Sequence, residues 1–183
     1  HHIEEIFTAI RQLKGRVRVL WALRAEIRRQ FTIRVNDDIA TADLLLQDLV
    51  PQIAVLAHPK GKLFVSHAGF NSVHESLFMG KPIVAVPLCN DQFELARKIV
   101  YSRVGTSMDI GTLKASDIVS NIMHVLEPSF MSRAEKVSTI MQNANGLEFT
   151  TNLIFTIAQV QSIDHLIPIA YKIPWYEVYG LDM

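Results

Sequence analysis

Polar side chains that could hold a phosphate follow a short apolar run near the middle of the chain. Residues 63–66 are followed by His67, Gly69, Asn71 and Ser72. Imidazole, amide and hydroxyl groups donate hydrogen bonds, and a glycine allows close backbone approach. If a helix begins here, its first N–H groups have no partners within the helix and favour an anion. Local sequence supports equally well a helix cap by Asn71 or Ser72, worth about 1 kcal/mol.

Two further groups have the chemistry to bind sugar hydroxyls. Glu75 lies one helical turn beyond Asn71, where a carboxylate could accept hydrogen bonds from the vicinal hydroxyls of a ribose. A second apolar run ends shortly before Asp91 and Gln92, whose side chains can accept and donate hydrogen bonds to a sugar. Each group also has a reading without a ligand. Glu75 would then be a solvated helix residue, and Asp91 would be the N-cap of a helix, with Glu94 completing a capping box.

The elements that would position these groups alternate between strands and helices. Strands are predicted at residues 17–23, 44–50, 63–66, 83–87 and 106–109, and helices near 3–13, 72–79, 91–102, 115–126, 129–143 and 147–163. The candidates at 44–50, 63–66 and 83–87 are short continuous apolar runs, which is typical of a sheet covered by helices on both faces. We therefore predict a Rossmann-like, doubly wound parallel α/β sheet, which binds ligands at the carboxyl ends of its strands.

Composition narrows the classes of function. With 49% hydrophobic and 20% charged residues the chain should be globular. Lys plus Arg and Asp plus Glu number 18 each, so no net charge favours nucleic acid or an anionic membrane. Cys89 is the single cysteine, which excludes an internal disulfide, and no histidine pair has the spacing of a metal site. We expect no metal ion and no nucleic-acid partner.

Several positions at fixed offsets resemble the signature of the UDP-glycosyltransferases, with no insertion between Leu49 and Gln92. The matching positions are Pro51-Gln52, His58-Pro59, His67-Ala-Gly-Phe-Asn-Ser72, Glu75, Gly80-Lys-Pro82 and Asp91-Gln92. The resemblance covers nearly the whole chain and implies the C-terminal domain of a GT-B enzyme. In such an enzyme this domain holds the UDP-sugar, and a second domain, absent from this chain, holds the acceptor. We therefore expect residues 1–183 to form one donor-binding domain that lacks its first strand.

The resemblance also implies roles for individual side chains. Gln52 would contact the uracil or ribose, and Glu75 the ribose hydroxyls. The diphosphate would be bound by His67, Asn71 and Ser72, with Gly69 and Phe70 in the same turn. Asp91 and Gln92 would bind the donor sugar. Leu49 departs from the pattern, because the family usually has a tryptophan there that stacks on uracil. No residue matches the family's catalytic histidine base, which belongs to the other domain, so this chain alone should be inactive.

The implied reaction transfers a hexosyl or glucuronosyl group from a UDP-sugar, with inversion, to hydroxyl groups of small lipophilic acceptors. The UDP-sugar is a substrate, and we expect no cofactor. Two alternatives stay open. One is a non-catalytic nucleotide-binding or interaction module that degenerated from the same fold. The other is a GT-B enzyme that uses a different nucleotide diphosphate.

The end of the chain bears on its place in the cell. Residues 165–183 are rich in Pro, Trp and Tyr and are predicted to form an irregular extension. Residues 175–183 resemble the segment that precedes the transmembrane helix of animal members of the family. The resemblance implies an endoplasmic reticulum membrane protein with this domain on the luminal side, held by a segment absent from this chain.

Overall fold

The computed structural model describes residues 2–27, 29, 43–164, 166–168, 171 and 174. The chain divides into two compact units, His1–Gln142 and Asn143–Met183. Most of the predicted extension at 165–183, including the segment 175–183, lies outside the described residues. The expectation of one domain over 1–183 stays a prediction.

The first unit alternates strands with helices, as the apolar pattern predicts. Its described strands are β1 (Val19–Ala22), β2 (Leu44–Gln47), β3 (Phe64–Ser66), β4 (Ile83–Ala85) and β5 (Gly105–Ser107). Its described helices are α1 (His2–Gln12), α2 (Gln52–Ala57), α3 (Phe70–Phe78), α4 (Gln92–Tyr101), α5 (Ala115–Val125) and α6 (Pro128–Asn143), which reaches the boundary between the units. The second unit contains α7 (Gly146–Val160).

Most predicted elements differ from the observed ones by a few residues at their ends, and two of these differences have a clear local cause. The helix predicted at 72–79 begins two residues earlier, because α3 starts directly after Gly69. The strand predicted at 106–109 ends at Ser107, because Asp109 begins a 3-10 turn over Ile110–Thr112. The Asp109 side chain accepts a hydrogen bond of 2.9 Å from the Gly111 N–H, which fixes that turn.

All strand pairings among the described residues are parallel. Val19 lies opposite Leu44 in the β1–β2 pair, and β4 lies between β3 and β5, with Phe64 and Gly105 on either side of Ile83. These pairings confirm the parallel α/β class. Within the described part of the chain they form a two-stranded and a three-stranded sheet, whereas the sequence predicts one continuous sheet.

Strand β4 lies at the centre of the core, with Ile83, Val84 and Ala85 all 0% exposed. Val84 packs in a cluster with residues of α1 and α5, whereas Ile83 and Ala85 pack with residues of α3 and α4. Successive side chains of a strand point to opposite faces. Helices therefore cover both faces of the three-stranded sheet at β4, which explains why this strand is apolar at every position rather than alternating.

Glu5 of α1 caps a different helix. Its carboxylate oxygen Oε2 accepts a hydrogen bond of 2.7 Å from the N–H of Ala115, at the start of α5. The N-cap residue of α5, Lys114, makes no side-chain cap bond. Because a lost cap typically costs about 1 kcal/mol, we expect Glu5→Ala to lower the free energy of unfolding by that amount in urea denaturation.

The matched control for this test is Glu26→Ala. Glu26 is exposed, and its carboxylate has no hydrogen bond or ion pair within the described residues. An exposed substitution of this kind usually changes stability by less than about 0.5 kcal/mol. Equal losses in the two variants would show that the Glu5 to Ala115 bond does not stabilise the fold.

Candidate functional site

The candidate site lies at the carboxyl ends of β3 and β4. These strands are parallel neighbours, with Ser66 opposite Ala85, so the segments that follow them leave the sheet at the same edge. The segment after β3 carries the predicted phosphate ligands, and the segment after β4 carries Asp91 and Gln92. This edge is where open α/β sheets bind ligands.

The turn from β3 into α3 has an unusual backbone. Ala68 is fully buried and adopts a positive φ of 63°, which is uncommon for a residue with a side chain. Its N–H donates to the Ser66 hydroxyl at 3.2 Å. The chain then returns to an extended conformation at Gly69, which is the N-cap of α3. The turn thereby brings the first residues of α3 to the edge of the sheet.

Asn71 and Ser72 lie within the first turn of α3 and do not cap it. The N-cap is Gly69, and no side chain makes a cap hydrogen bond. The first bond of the helix backbone at this end joins the Val73 N–H to the Gly69 carbonyl at 3.0 Å. The capping alternative for Asn71 or Ser72 is therefore wrong. The N–H groups ahead of Val73 and the exposed Asn71 side chain are open to an anion.

His67 lies against Gly69. A Cβ atom placed on Gly69 would be 2.5 Å from His67 Nε2, so the imidazole occupies the space that a larger residue would need. His67 is exposed, as is Phe70, whose ring centroid lies 6.2 Å from that of His74. Glycine at this position thus leaves room for the imidazole beside the start of α3.

Glu75 is tied to a residue from another element. Its oxygen Oε2 accepts a hydrogen bond of 2.8 Å from Gln52 Nε2, and the same nitrogen lies 3.4 Å from Ser72 Oγ. Both bonds are partly buried. The alternative of a solvated helix glutamate is therefore wrong. Sequence could not predict this bond, because 23 positions separate the two residues and the short helix α2 was not predicted.

Leu49 lies in the connection from β2 to α2, close in sequence to Gln52. Its side chain is 87% exposed, so nothing in the described residues covers it. Trp21, the nearest upstream tryptophan, packs against Phe7 of α1 with ring centroids 5.5 Å apart. That contact gives Trp21 a role in holding α1 on β1.

The loop between β4 and α4 is organised by Gln92. Its oxygen Oε1 accepts hydrogen bonds from the N–H groups of Leu88, at 2.8 Å, and Cys89, at 3.2 Å. Its nitrogen Nε2 lies 3.6 Å from Cys89 Sγ. Asn90 adopts a positive φ of 53°, which asparagine tolerates well. Gln92 therefore shapes the loop, a role that its position next to Asp91 did not indicate.

Asp91 occupies the N-cap position of α4, but its side chain makes no cap hydrogen bond. Glu94 does not complete a capping box, because its carboxylate pairs with Arg97 at 3.9 Å and Lys98 at 3.6 Å. The capping-box alternative is therefore wrong. The exposed Asp91 carboxylate has no hydrogen-bond partner within the described residues and is available to a ligand.

The structure thus joins Gln52, Ser72 and Glu75 directly and places His67 beside Gly69. Asp91 and Gln92 lie at the start of α4, without a hydrogen bond to the first group among the described residues. No set of three His, Cys, Asp or Glu side chains in the described part could hold a metal ion.

One residue with a shifted pKa, Lys81, lies away from this edge of the sheet. Burial lowers the pKa of Lys81, repulsion from Lys62 lowers it further, and Glu135 partly offsets both effects. Lys81 precedes β4, so it belongs to the amino end of the strand rather than to the carboxyl end. The shift therefore does not act on the candidate site.

A cavity of about 440 Å³ opens beside α4. It is lined by Pro87, Phe93, Ala96, Arg97, Val100, Tyr101 and Ser107. None of these is a predicted donor ligand, although Phe93 directly follows Gln92. Sequence gave no signal for the cavity, because its lining comes from one face of α4 and the ends of two strands.

No helix within the described residues is long and apolar enough to span a bilayer.

Solved structures of other proteins share the fold of this chain. The glycotransferase of kitacinnamycin superposes with a TM-score of 0.70 at 21% identity, covering 85% of this chain and 38% of that one. Os79 from O. sativa, in complex with U2F and trichothecene, gives a TM-score of 0.75 at 21% identity, covering 86% and 38%. Os79 has also been solved in complex with UDP, with a TM-score of 0.68. These matches confirm the predicted GT-B fold class.

Proteins related in sequence align with most of this chain. UDP-glucuronosyltransferase 3A1 of Mus musculus is 34% identical over 150 residues, covering 80% of this chain and 29% of that protein. UDP-glucuronosyltransferase 3A2 of Homo sapiens is 31% identical over 145 residues, covering 78% and 28%. The chain thus spans less than a third of their length. A family model described as UDP-glucoronosyl and UDP-glucosyl transferase matches residues 2–183, so the chain belongs to that family.

Proposed function

We propose that this chain binds a UDP-sugar and supplies donor recognition to a UDP-glycosyltransferase. The observation that carries the proposal is the open first turn of α3. Its N–H groups and the Asn71 and Ser72 side chains are not used by a cap, and they lie at the edge where Asp91 emerges from the neighbouring strand. A helix N-terminus with added donors stabilises a diphosphate without net protein charge.

The proposed roles follow the order of the ligand. Leu49 lies at the uracil, Gln52 at the uracil or ribose, and Glu75 at the ribose hydroxyls. The residues around the diphosphate are His67, Gly69, Phe70, Asn71 and Ser72. Asp91 and Gln92 lie at the sugar. The half-buried position of Glu75 supports its role, because a partly desolvated carboxylate binds hydroxyl donors more strongly than a fully solvated one. Gln92 Oε1 already binds two backbone N–H groups, so its Nε2 is the group we assign to the sugar.

For the whole protein we propose transfer of a hexosyl or glucuronosyl group, with inversion, to hydroxyl groups of small lipophilic acceptors. The UDP-glucuronosyltransferases among the relatives support this class of donor. The acceptor site and the catalytic base would belong to residues outside this chain. We further propose an endoplasmic reticulum location, with this domain on the luminal side and a membrane anchor outside this chain.

One observation favours a second candidate, a non-catalytic module that retains the fold. Leu49 is 87% exposed, so the described structure places no aromatic ring on the position where the family stacks uracil. A module that has lost this contact would keep the fold and bind UDP weakly or not at all.

Titration calorimetry of the purified chain with UDP tests the proposal. We expect binding in the wild-type chain and a loss of roughly tenfold or more in both Asn71→Ala and Glu75→Ala, because hydrogen bonds to charged groups contribute about 1.5 to 3 kcal/mol. Asn152→Ala and Glu148→Ala on α7 are matched controls, since both residues are exposed in the second unit. A folded wild-type chain that does not bind UDP would favour the non-catalytic module. Equal affinity for GDP or TDP would argue against uracil recognition.

A further inference from the structure

One face of α4 carries apolar side chains that are open to solvent. Phe93, Val100 and Tyr101 are 45%, 48% and 90% exposed, and they recur at helical spacing with Arg97 between them. A single exposed apolar residue is common on a protein surface, whereas three on one face of a ten-residue helix form a patch. This patch contributes most of the lining of the cavity of about 440 Å³ beside α4.

The cavity has the size and the lining of a small-molecule site. Such sites usually measure about 300 to 1,000 Å³ and combine mainly apolar walls with a few polar groups. The buried residues Pro87 and Ala96 add apolar lining, and Ser107, at the end of β5, adds an exposed hydroxyl group. Ala96 and its helix neighbour Ile99 pack in the core cluster that includes residues of β4. The core therefore fixes the wall that α4 provides before any ligand arrives.

Arg97 gives the cavity its charge. Among the described residues of the lining it alone is ionised at neutral pH. Its Nη1 lies 3.9 Å from Glu94 Oε2, a long ion pair that engages one of five N–H donors. A guanidinium can bind a carboxylate through two parallel hydrogen bonds. Because one cation lines the cavity in this part of the chain, a monoanion suits it better than a phosphate dianion.

We propose that this cavity binds a small molecule that has a flat apolar body and a single carboxylate. The apolar body lies against Phe93, Val100 and Tyr101, whose two rings can stack on an aromatic ligand. The carboxylate accepts hydrogen bonds from Arg97. None of the lining residues is among the proposed UDP-sugar ligands, so the proposal does not rest on the proposed function.

NMR titration of the isotope-labelled 183-residue chain tests the charge of the site. The probes are naphthaleneacetate and naphthaleneethanol, which share a ring system and differ in charge. We expect saturable shifts of the Val100 and Ser107 amide signals. Arg97→Gln should bind naphthaleneacetate roughly fivefold more weakly and naphthaleneethanol equally well, since an exposed ion pair contributes modestly. Lys98→Gln is the matched control and should alter neither affinity, because Lys98 also pairs with Glu94 but does not line this cavity.

A second variant tests the apolar wall. Val100→Asn should weaken the binding of both probes roughly fivefold, because a half-exposed valine would no longer cover the ring. Ile140→Asn on α6 is the control, since Ile140 is 70% exposed and lies outside the lining. We expect it to change neither affinity.

Failure of the folded wild-type chain to give saturable shifts with either probe would overturn the proposal. Equal weakening of both probes by Arg97→Gln would do so too, since the carboxylate would then not be recognised. Loss of naphthaleneacetate binding in Asn71→Ala would place the carboxylate at the first turn of α3 instead. Self-association in sedimentation that Val100→Asn abolishes would mean that a second copy of the chain covers this face. UDP plays no part in these measurements, so failure of the proposed function would leave this inference standing.

Discussion

Replacement of Gly105 by alanine is expected to prevent stable folding of the first unit. A Cβ atom at this position would lie 1.8 Å from the Ile83 carbonyl oxygen and 2.8 Å from Ile99 Cγ2. Gly105 is buried in β5, directly opposite Ile83, so the Ile83 carbonyl oxygen can move away only if the two strands separate. Overpacking usually costs about 1 to 3 kcal/mol, and a clash with backbone in the centre of a sheet should reach or exceed the upper value.

Urea denaturation followed by circular dichroism measures this loss. Gly146→Ala is the matched control, because a Cβ atom there would have no neighbour within 4 Å. Gly146 begins α7, so alanine should leave stability unchanged or raise it by up to about 1 kcal/mol. A Gly105→Ala chain that unfolds at the wild-type urea concentration would show that β5 does not pack on β4 in this way.

Replacement of Leu49 by tryptophan is expected to raise the affinity for UDP. Leu49 stands where the family usually has a tryptophan that stacks on uracil, and its 87% exposure leaves room for an indole. Stacking of a base on an aromatic side chain contributes about 1 to 3 kcal/mol in single-strand nucleic-acid binders. A contribution of that size should make UDP bind the variant roughly five- to 150-fold more tightly, as titration calorimetry would show.

Leu147→Trp on α7 controls for the addition of an exposed indole. Leu147 is 85% exposed, so the two substitutions change the surface to a similar extent. We expect no change in UDP affinity in the control. If Leu49→Trp binds UDP no better than the wild-type chain does, the base does not lie beside this position.

Much of the fold could be predicted from sequence, because β-strands covered by helices on both faces are continuously apolar. Ile83, Val84 and Ala85 show why, since they alternate between two buried clusters and none of them faces solvent. The helix Gln52–Ala57 was missed because six residues are too few to establish a helical period. The division of the described strands into two sheets could not be predicted either, since pairing depends on neighbours that are distant in sequence.

The candidate site was predictable in its residue types but not in its contacts. Capping rules favoured Asn71, Ser72 and Asp91 as caps. In the structure the N-cap of α3 is Gly69, and Asp91 is the N-cap of α4 but its side chain makes no cap hydrogen bond. Capping rules consider only residues that are close in sequence, whereas the hydrogen-bond partner of Glu75, Gln52, comes from a different helix. The ligand roles themselves stay predictions until UDP binding is measured.

The central position of β4 has a consequence for hydrogen exchange. The N–H of Ile83 donates to the Val104 carbonyl and the Val86 N–H to the Ser66 carbonyl, so the amides of β4 are bonded on both sides of the strand. Exchange of such amides requires the largest opening of the fold, whereas the two-stranded β1–β2 pair can open separately. The loop that bears Asp91 is therefore anchored to the slowest-exchanging strand, and the segment that bears Leu49 to a faster-exchanging one. In a deuterium-uptake experiment, amides at the sugar end of the site should exchange more slowly than amides at its base end.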